Sequence, residues 1–193
     1  MKIAIDARYI GKSGIGRVIE GILDNLPYEK NEYYLIGSKK LDDSYAVLIG
    51  GKGPLTEGLK EEAKDDNKVE FLGRISDDDL KAYLLACDIF CFPSITKNEA
   101  FGIGLAEAMY YGKAVITFNI PGSGVNYVSI KDETGLEVEN QNVEAYAEAI
   151  KKLSNDNELR LKFEKNSKDR VNELFLDSRF NTLVNELISE VTK

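Results

Sequence analysis

The hydrophobic positions of the chain alternate between short runs and helical stripes. Runs rich in β-branched and aromatic residues predict strands at 2–6, 32–37, 45–50, 69–72, 88–92 and 114–118. Apolar residues that recur every three or four positions predict helices near 15–26, 55–66, 77–86, 102–112, 142–154, 157–174 and 178–192. Because strands and helices alternate from residue 45 onward, the pattern indicates an α/β fold with a Rossmann-like, doubly wound, mostly parallel sheet flanked by helices.

The second and third predicted strands interrupt this regular order. Only residues 38–44 lie between strands 32–37 and 45–50, whereas a parallel crossover needs roughly a dozen residues. These two strands therefore run antiparallel or belong to different sheets.

Composition and charge exclude several kinds of site. The 193 residues include no histidine, so serine–histidine and cysteine–histidine nucleophiles and histidine-ligated metal centres are excluded. The net charge of -8 argues against a general nucleic-acid or anionic-membrane binder. No segment has the length of a transmembrane span, and the first residues do not form a signal peptide. Cys87 and Cys91 lie in an apolar run and are expected to be buried free thiols, so a cytoplasmic location is expected.

Segment 100–112 carries the clearest candidate chemistry. It is apolar or small at nearly every position, and Glu107 is its only charged residue. A carboxylate on a buried helix needs hydrogen-bond donors, and Glu99 stands eight residues earlier. Gly102 and Gly104 lie between them, at a helix N-terminus whose free N–H groups favour a phosphate. This geometry is that of a nucleotide-sugar site. The alternative is that Glu107 pairs with an internal Lys or Arg and Glu99 is an exposed loop residue.

The same segment carries a resemblance to a known family. From residue 45 to about 174 the chain resembles the donor-binding C-terminal half of the GT-B-fold, retaining glycosyltransferases of family four, also called group-one glycosyltransferases. The resemblance rests on these stretches, in this order: Gly50-Gly51-Lys52-Gly53-Pro54, Phe71-Leu72-Gly73-Arg74, Phe92-Pro93-Ser94, Glu99-Ala100-Phe101-Gly102, Glu107-Ala108-Met109, Gly112-Lys113, Pro121-Gly122-Ser123-Gly124 and Glu133-Thr134-Gly135-Leu136. The stretch after Pro121 looks like members that assemble bacterial surface polysaccharides.

The resemblance implies a role for each matching residue. Glu107 would bind the donor ribose, and Glu99, the catalytic residue, would meet the transferred sugar and the diphosphate. The remaining donor-binding residues are the amides of Phe101, Gly102 and Ile103, the base-edging Gly73, Arg74 and Ile75, and the cleft residues Gly51, Lys52 and Gly53. The implied reaction is retaining transfer of a hexose from a UDP- or GDP-sugar to a glycan or polysaccharide, with no cofactor and no metal.

The beginning of the chain departs from the family pattern. Residues 2–17 are similar to the start of the family's acceptor-binding N-terminal half, but most of that half is absent. Also absent is the first strand–helix unit of the donor half, with the Arg and Lys that hold the diphosphate. The chain thus resembles a full-length enzyme with a large internal deletion. The predicted domains are a strand-helix-strand remnant at 1–40, a donor-binding domain at 41–176 and a crossover helix at 177–193 that packs on the N-terminal segment.

A further hypothesis concerns the missing strand–helix unit. Strand 2–6 and helix 15–26 would join the donor sheet in its place, and its glycine loop would lie beside the phosphates. The replacement diphosphate clamp would then consist of Gly14, Gly16, Arg17 and Lys39. The alternative is a solvated loop with ordinary surface cations.

Two functions stay open on the sequence. The first is a glycosyltransferase whose missing half comes from a homodimer or a partner chain. The second is a non-catalytic, nucleotide-binding subunit or fragment that acts with a partner chain. A dinucleotide-binding protein is disfavoured, because the glycine-rich fingerprint after the first strand is not met.

Overall fold

A computed structural model describes the backbone of residues 2–6, 33–34 and 40–41, and residues 46–191 with their side chains. The strands in these ranges are β1 (Lys2–Asp6), β2 (Tyr33–Tyr34), β3 (Lys40–Leu41), β4 (Ala46–Gly50), β5 (Val69–Gly73), β6 (Ile89–Phe92), β7 (Ala114–Phe118) and β8 (Gly135–Val138). The helices are α1 (Thr56–Glu62), α2 (Asp77–Ala86), α3 (Ile103–Tyr110), α4 (Val125–Val128), α5 (Val143–Asn155), α6 (Asn157–Leu174) and α7 (Asp177–Val191).

Strand β1 lies at the centre of the main sheet. The sheet is parallel throughout and has the order β5-β4-β1-β6-β7-β8. Residue Ala4 is paired with Leu48 on one side and with Phe90 on the other. The first strand therefore belongs to the same sheet as the strands of the predicted donor-binding domain, and this sheet extends across the boundary predicted between residues 40 and 41. The predicted helix 15–26, and the predicted packing of the last helix on residues 1–40, involve residues outside the described ones.

Strands β2 and β3 form a separate antiparallel pair. Tyr33 is paired with Leu41 and Tyr34 with Lys40. The strand predicted at 32–37 therefore belongs to a different sheet from β4, which was one of the two alternatives that the short connection allowed. The sequence missed β3, since Lys40–Leu41 is too short to show a strand pattern.

Three of the helices begin at a residue whose side chain caps them. The Ser76 hydroxyl accepts a hydrogen bond from the Asp79 amide at 3.2 Å and caps α2. Asn142 and Asp156 accept equivalent bonds from Ala145 and Leu159, both at 2.9 Å, and cap α5 and α6. The sequence missed α4, which has only four residues, and β8, whose residues GLEV contain one β-branched side chain.

Both faces of the sheet contribute to the core. On α5 the buried Tyr146 donates a hydrogen bond of 2.6 Å to the carbonyl of Ile116 and packs on Phe118. Helices α3 and α6 pack against each other and against β7. The two cysteines are buried and free, as predicted, and burial raises the pKa of Cys87 to about 12. Within the described residues, no helix has the length and apolar character that a bilayer crossing needs.

Candidate functional site

The order of the sheet places one topological switch point between β1 and β6. Strands β4 and β5 follow on one side of β1, whereas β7 and β8 follow on the far side of β6. In open parallel sheets, ligands bind beyond the carboxyl ends of the strands at such a point. The motifs that give the resemblance between residues 50 and 102 lie at the carboxyl ends of β4, β5 and β6 and in the loops that leave these strands.

A cavity of about 400 Å³ opens at this place. Its walls come from strands β4, β5 and β6, from helices α2 and α3, and from the loops after β4 and β5. The lining residues are Leu48, Gly50, Gly51, Lys52, Leu72, Arg74, Ile75, Leu80, Tyr83, Leu84, Phe90, Gly104 and Glu107. A mostly apolar cavity with a few convergent polar groups is typical of a small-molecule site.

Glu107 is the acidic residue of this cavity. It lies on α3, where Gly104, Leu105, Ala108 and Met109 are all buried, and it is itself half-buried. No hydrogen bond or ion pair joins its carboxylate to any residue of the 46–191 range. Within that range, the alternative of an internal ion pair is therefore wrong. An unpaired, half-buried carboxylate at the wall of a cavity is available to a ligand with hydroxyl donors.

A second, smaller cavity of about 160 Å³ meets the first at Glu107. Its walls are α2 and α3, and the two cavities share Leu80, Leu84 and Glu107. The rings of Tyr110 and Tyr111 are in edge contact, with centroids 5.2 Å apart, and line this second space together with Lys81.

Glu99 has a partner of its own. One of its carboxylate oxygens accepts a hydrogen bond of 3.0 Å from the Gly102 amide, immediately before the start of α3. Gly102 is buried and has a φ of 88°, a left-handed conformation that glycine adopts readily. The Glu99 carboxylate is therefore bonded to the backbone of the residue that precedes α3, and the simple exposed-loop alternative does not describe it.

The structure divides the predicted donor residues into two groups. Gly51, Lys52, Arg74, Ile75 and Glu107 line the large cavity. The other donor residues do not line it: Glu99, Phe101, Gly102, Ile103, Gly53 and Gly73. The second group includes the residues that the resemblance associates with the sugar and the diphosphate.

Two glycines of the second group shape the loops that reach the cavity. The carbonyl of Gly73 accepts a hydrogen bond of 2.7 Å from the Gly51 amide, and Gly73 has a φ of 65°. The Gly53 amide donates to the Thr56 hydroxyl at 2.9 Å, at the start of α1. The first contact joins the loops after β4 and β5, and the second holds the loop after β4 against the start of α1, so both glycines lie beside residues that face the cavity.

Helix α2 contributes a wall that the sequence did not identify. Leu80, Tyr83 and Leu84 line the cavity, although their spacing on α2 is that of an ordinary core stripe. Burial raises the pKa of the Tyr83 phenol above its ordinary value, and the nearby Glu70 and Asp79 carboxylates add to the rise. The Tyr83 hydroxyl therefore stays protonated and can donate a hydrogen bond.

The candidate diphosphate clamp lies outside the described residues. Gly14, Gly16, Arg17 and Lys39 are the positions concerned. The register does show where the chain leaves β1, because Asp6 is paired with Gly50, a residue that lines the cavity.

Known proteins share both the fold and the sequence pattern. Solved structures with a similar fold include sucrose-phosphate synthase from Thermosynechococcus elongatus, with a TM-score of 0.76 and 24% identity over 99% of this chain and 45% of the other. HepE of Anabaena, solved in complex with UDP and glucose, has a TM-score of 0.77 and 18% identity over 98% of this chain and 48% of the other. The shared fold is the Rossmann-like half of a GT-B glycosyltransferase.

Sequence relatives agree with this fold. D-rhamnosyltransferase WbpZ of Pseudomonas aeruginosa is 35% identical over 150 residues, which are 77% of this chain and 39% of the relative. The O-antigen chain mannosyltransferase C of Escherichia coli is 29% identical over 150 residues, which are 77% of this chain and 40% of the relative. The chain thus spans about two fifths of the length of these relatives. Residues 22–170 match the family described as "Glycosyl transferases group 1". The chain therefore belongs to the group 1 glycosyltransferases.

Proposed function

We propose that the chain binds a nucleotide sugar and forms the donor-binding part of a retaining glycosyltransferase that acts on a glycan or polysaccharide. The observation that carries this proposal is the carboxylate of Glu107, which is unpaired among residues 46–191, at the wall of an apolar cavity of about 400 Å³. A site that holds ribose hydroxyls needs such an acceptor, whereas a packing cavity gains nothing from one. A cytoplasmic location belongs to the same proposal, because both thiols are free.

In this proposal the nucleoside occupies the large cavity. Glu107 accepts hydrogen bonds from the two ribose hydroxyls. The base lies along the Arg74 and Ile75 loop against the apolar wall of α2, where the Tyr83 hydroxyl is a donor. Gly51 and Lys52 border the same space on the side of β4.

The sugar and diphosphate end is proposed to lie at the start of α3. Glu99 meets the transferred sugar as the catalytic residue, and the amides of Phe101, Gly102 and Ile103 face the diphosphate. Because the Gly102 amide is bonded to Glu99, a phosphate oxygen must share or replace that bond. No metal is part of this proposal, since preset amides and cations can stabilise the charge of the leaving diphosphate.

The replacement diphosphate clamp is part of the same proposal. The chain leaves β1 beside Gly50 at the rim of the cavity, and the first loop after the central strand is the usual place for phosphate contacts in doubly wound sheets. Gly14, Gly16, Arg17 and Lys39 are the residues proposed to supply them.

A second function is favoured by one observation. Glu99, Phe101, Gly102 and Ile103, which the resemblance associates with the sugar and the diphosphate, do not line the cavity that Glu107 borders. The second proposal is therefore a non-catalytic, nucleotide-binding subunit or fragment that acts with a partner chain.

Binding of nucleotides and nucleotide sugars tests what both proposals require, namely that the chain recognises a nucleotide. We expect UDP or GDP, and the corresponding UDP-glucose or GDP-mannose, to raise the melting temperature of the whole chain. At 100 times the dissociation constant, the expected stabilisation is about 2.7 kcal/mol. Both bases are included because HepE was solved with UDP and one relative is named as GDP-mannose-dependent. If no nucleotide shifts the transition at millimolar concentration, the donor site is refuted.

Turnover distinguishes the two proposed functions. Loss of hydrolysis or transfer in Glu99→Ala supports the enzyme, whereas nucleotide binding without turnover supports the subunit.

The clamp is tested in the same melting experiment. Arg17→Ala is expected to weaken nucleoside diphosphate binding by about tenfold, since a charge-assisted phosphate contact contributes about 1.5–3 kcal/mol. The effect on the nucleoside alone should be small. Arg179→Ala, on α7, is the matched control and should change neither ligand. Equal loss of nucleoside and diphosphate binding in Arg17→Ala would contradict a phosphate contact.

A further inference from the structure

We propose that Ser123 and Gly124, in the loop after β7, are positioning residues for Glu99. The inference rests on the proposed function, because it concerns how the sugar end of the same site is held. It assigns the orientation of Glu99 to a loop 24 residues further along the chain, which leaves the neighbouring strand of the sheet.

The first contact joins the Ser123 side chain to the Glu99 backbone. The Ser123 hydroxyl donates a hydrogen bond to the main-chain carbonyl of Glu99 and accepts one from the Val125 amide at 3.2 Å. The Ser123 amide donates a hydrogen bond of 3.0 Å to the Ile120 carbonyl, so the backbone that carries the hydroxyl is itself held in a turn. A hydroxyl fixed in this way sets the position of the carbonyl that it contacts.

The second contact is a close approach of two backbones. The Gly124 amide donates to the Ala100 carbonyl at 2.9 Å. A Cβ at position 124 would lie 2.2 Å from that carbonyl oxygen and 3.1 Å from the Cα of Phe101. Only glycine permits this approach without a shift of one of the two loops.

The third contact links the backbone of residues 99–102 to the Glu99 carboxylate. Glu99 caps the Gly102 amide at 3.0 Å, and Gly102 is enclosed by Phe92, Leu105 and Val125. Phe101 is held from another side by the ring of Phe175, with centroids 5.4 Å apart. The loop from 99 to 102 is therefore fixed at three successive residues, and Ser123 and Gly124 supply two of these restraints.

Amide exchange in the free protein tests the positioning directly. Ser123→Ala is expected to accelerate exchange of the Gly102 amide by about threefold to tenfold, the range that loss of one neutral hydrogen bond gives. Ser123→Thr, which keeps the hydroxyl, should restore the protection. Ser189→Ala removes a hydroxyl that donates to the Asn185 carbonyl on α7, and it should leave Gly102 unchanged. The Leu159 amide, capped by Asp156, is the internal reference.

Two results of that experiment would overturn the proposal. One is unchanged Gly102 exchange in Ser123→Ala. The other is equal acceleration at Gly102 and Leu159, which would indicate general destabilisation. Gly124→Ala provides a second variant and should accelerate Gly102 exchange further. Gly58→Ala is its control, because a Cβ there meets nothing within 4 Å.

Ligand binding separates positioning from a purely structural role. Ser123→Ala should weaken binding of UDP-glucose or GDP-mannose by about threefold to tenfold. It should leave binding of uridine or guanosine within about twofold, because the nucleoside is proposed to occupy the large cavity, which residues 99–102 do not line. Equal weakening of both ligands would overturn the proposal. If the wild-type chain binds neither ligand, the proposed function fails, and the exchange experiment still decides whether Ser123 holds the Glu99 loop.

Discussion

Replacing Glu107 by alanine is expected to weaken nucleoside diphosphate binding by at least about 30-fold. The carboxylate is the acceptor proposed for two ribose hydroxyls, and hydrogen bonds to a charged group contribute about 1.5–3 kcal/mol each. Isothermal titration calorimetry with UDP and GDP measures the loss directly. The melting shift that saturating nucleotide gives the wild-type chain should disappear at the same ligand concentration.

The same substitution should leave the free chain at least as stable as the wild type. Glu107 has no ion-pair partner among residues 46–191, and it lies on a helix whose neighbouring side chains are buried. Its removal breaks no side-chain hydrogen bond or ion pair within that range and relieves the cost of a half-buried charge. A residue kept for structure would show the opposite behaviour, because removal of one partner of a buried pair is strongly destabilising.

Two further variants define the outcome. Glu107→Gln keeps one acceptor oxygen and loses the charge, so its affinity should fall between those of the wild type and Glu107→Ala. Glu186→Ala removes an exposed carboxylate from α7 and should bind nucleotide normally. The donor-site proposal fails if Glu107→Ala keeps its nucleotide affinity, or if it loses several degrees of melting temperature without ligand.

The sequence predicts a site residue when neighbouring positions in the chain make that residue unusual. Glu107 stands out because it is the one charge in an apolar helix, and the structure places it at the wall of a cavity. The wall formed by Leu80, Tyr83 and Leu84 could not be found in the same way. A helix stripe that faces a ligand and a stripe that faces the core have the same spacing, since both are apolar surfaces removed from water.

The hydrogen bond between Glu99 and the Gly102 amide was also beyond the sequence pattern. An acidic residue four positions before the first residue of a helix can accept a backbone amide, contact a ligand or point into water, and its spacing is the same in each case. The left-handed φ of 88° at Gly102 brings the Gly102 amide to the carboxylate, and this conformation is visible only in the backbone.

Strand neighbours are harder to predict than strands. The run at 2–6 predicts a strand, but its pattern states only which residues alternate between faces, not which strands lie beside it. Thirty-nine residues lie between Asp6 and Ala46, and the pairing of β1 with β4 and β6 is set by the whole sheet. The sequence therefore offered the addition of strand 2–6 to the sheet only as a hypothesis, and the observed register places the strand between β4 and β6.

Proline at position 4 is expected to have the largest effect on stability. Ala4 is paired with Leu48 and with Phe90, so it lies in the interior of a sheet with strands on both sides. Proline lacks the amide donor and its ring disturbs the neighbouring strand, at a cost of about 3 kcal/mol or more. In a domain of this size that cost corresponds to a fall of at least about 6–12 °C in melting temperature. Thermal unfolding followed by circular dichroism measures it.

Asp177→Pro provides the control for the substitution itself. Asp177 is the exposed first residue of α7, a position that accepts proline because its amide needs no helical partner. If Ala4→Pro melts like the wild type while Asp177→Pro does the same, strand β1 is not the centre of the sheet.

If β1 is central, it also separates β4 from β6 beneath the cavity, whose walls include Gly50 and Phe90. Loss of β1 then removes the geometry that brings these two residues to one site, so nucleotide binding should disappear in Ala4→Pro even where part of the chain stays folded.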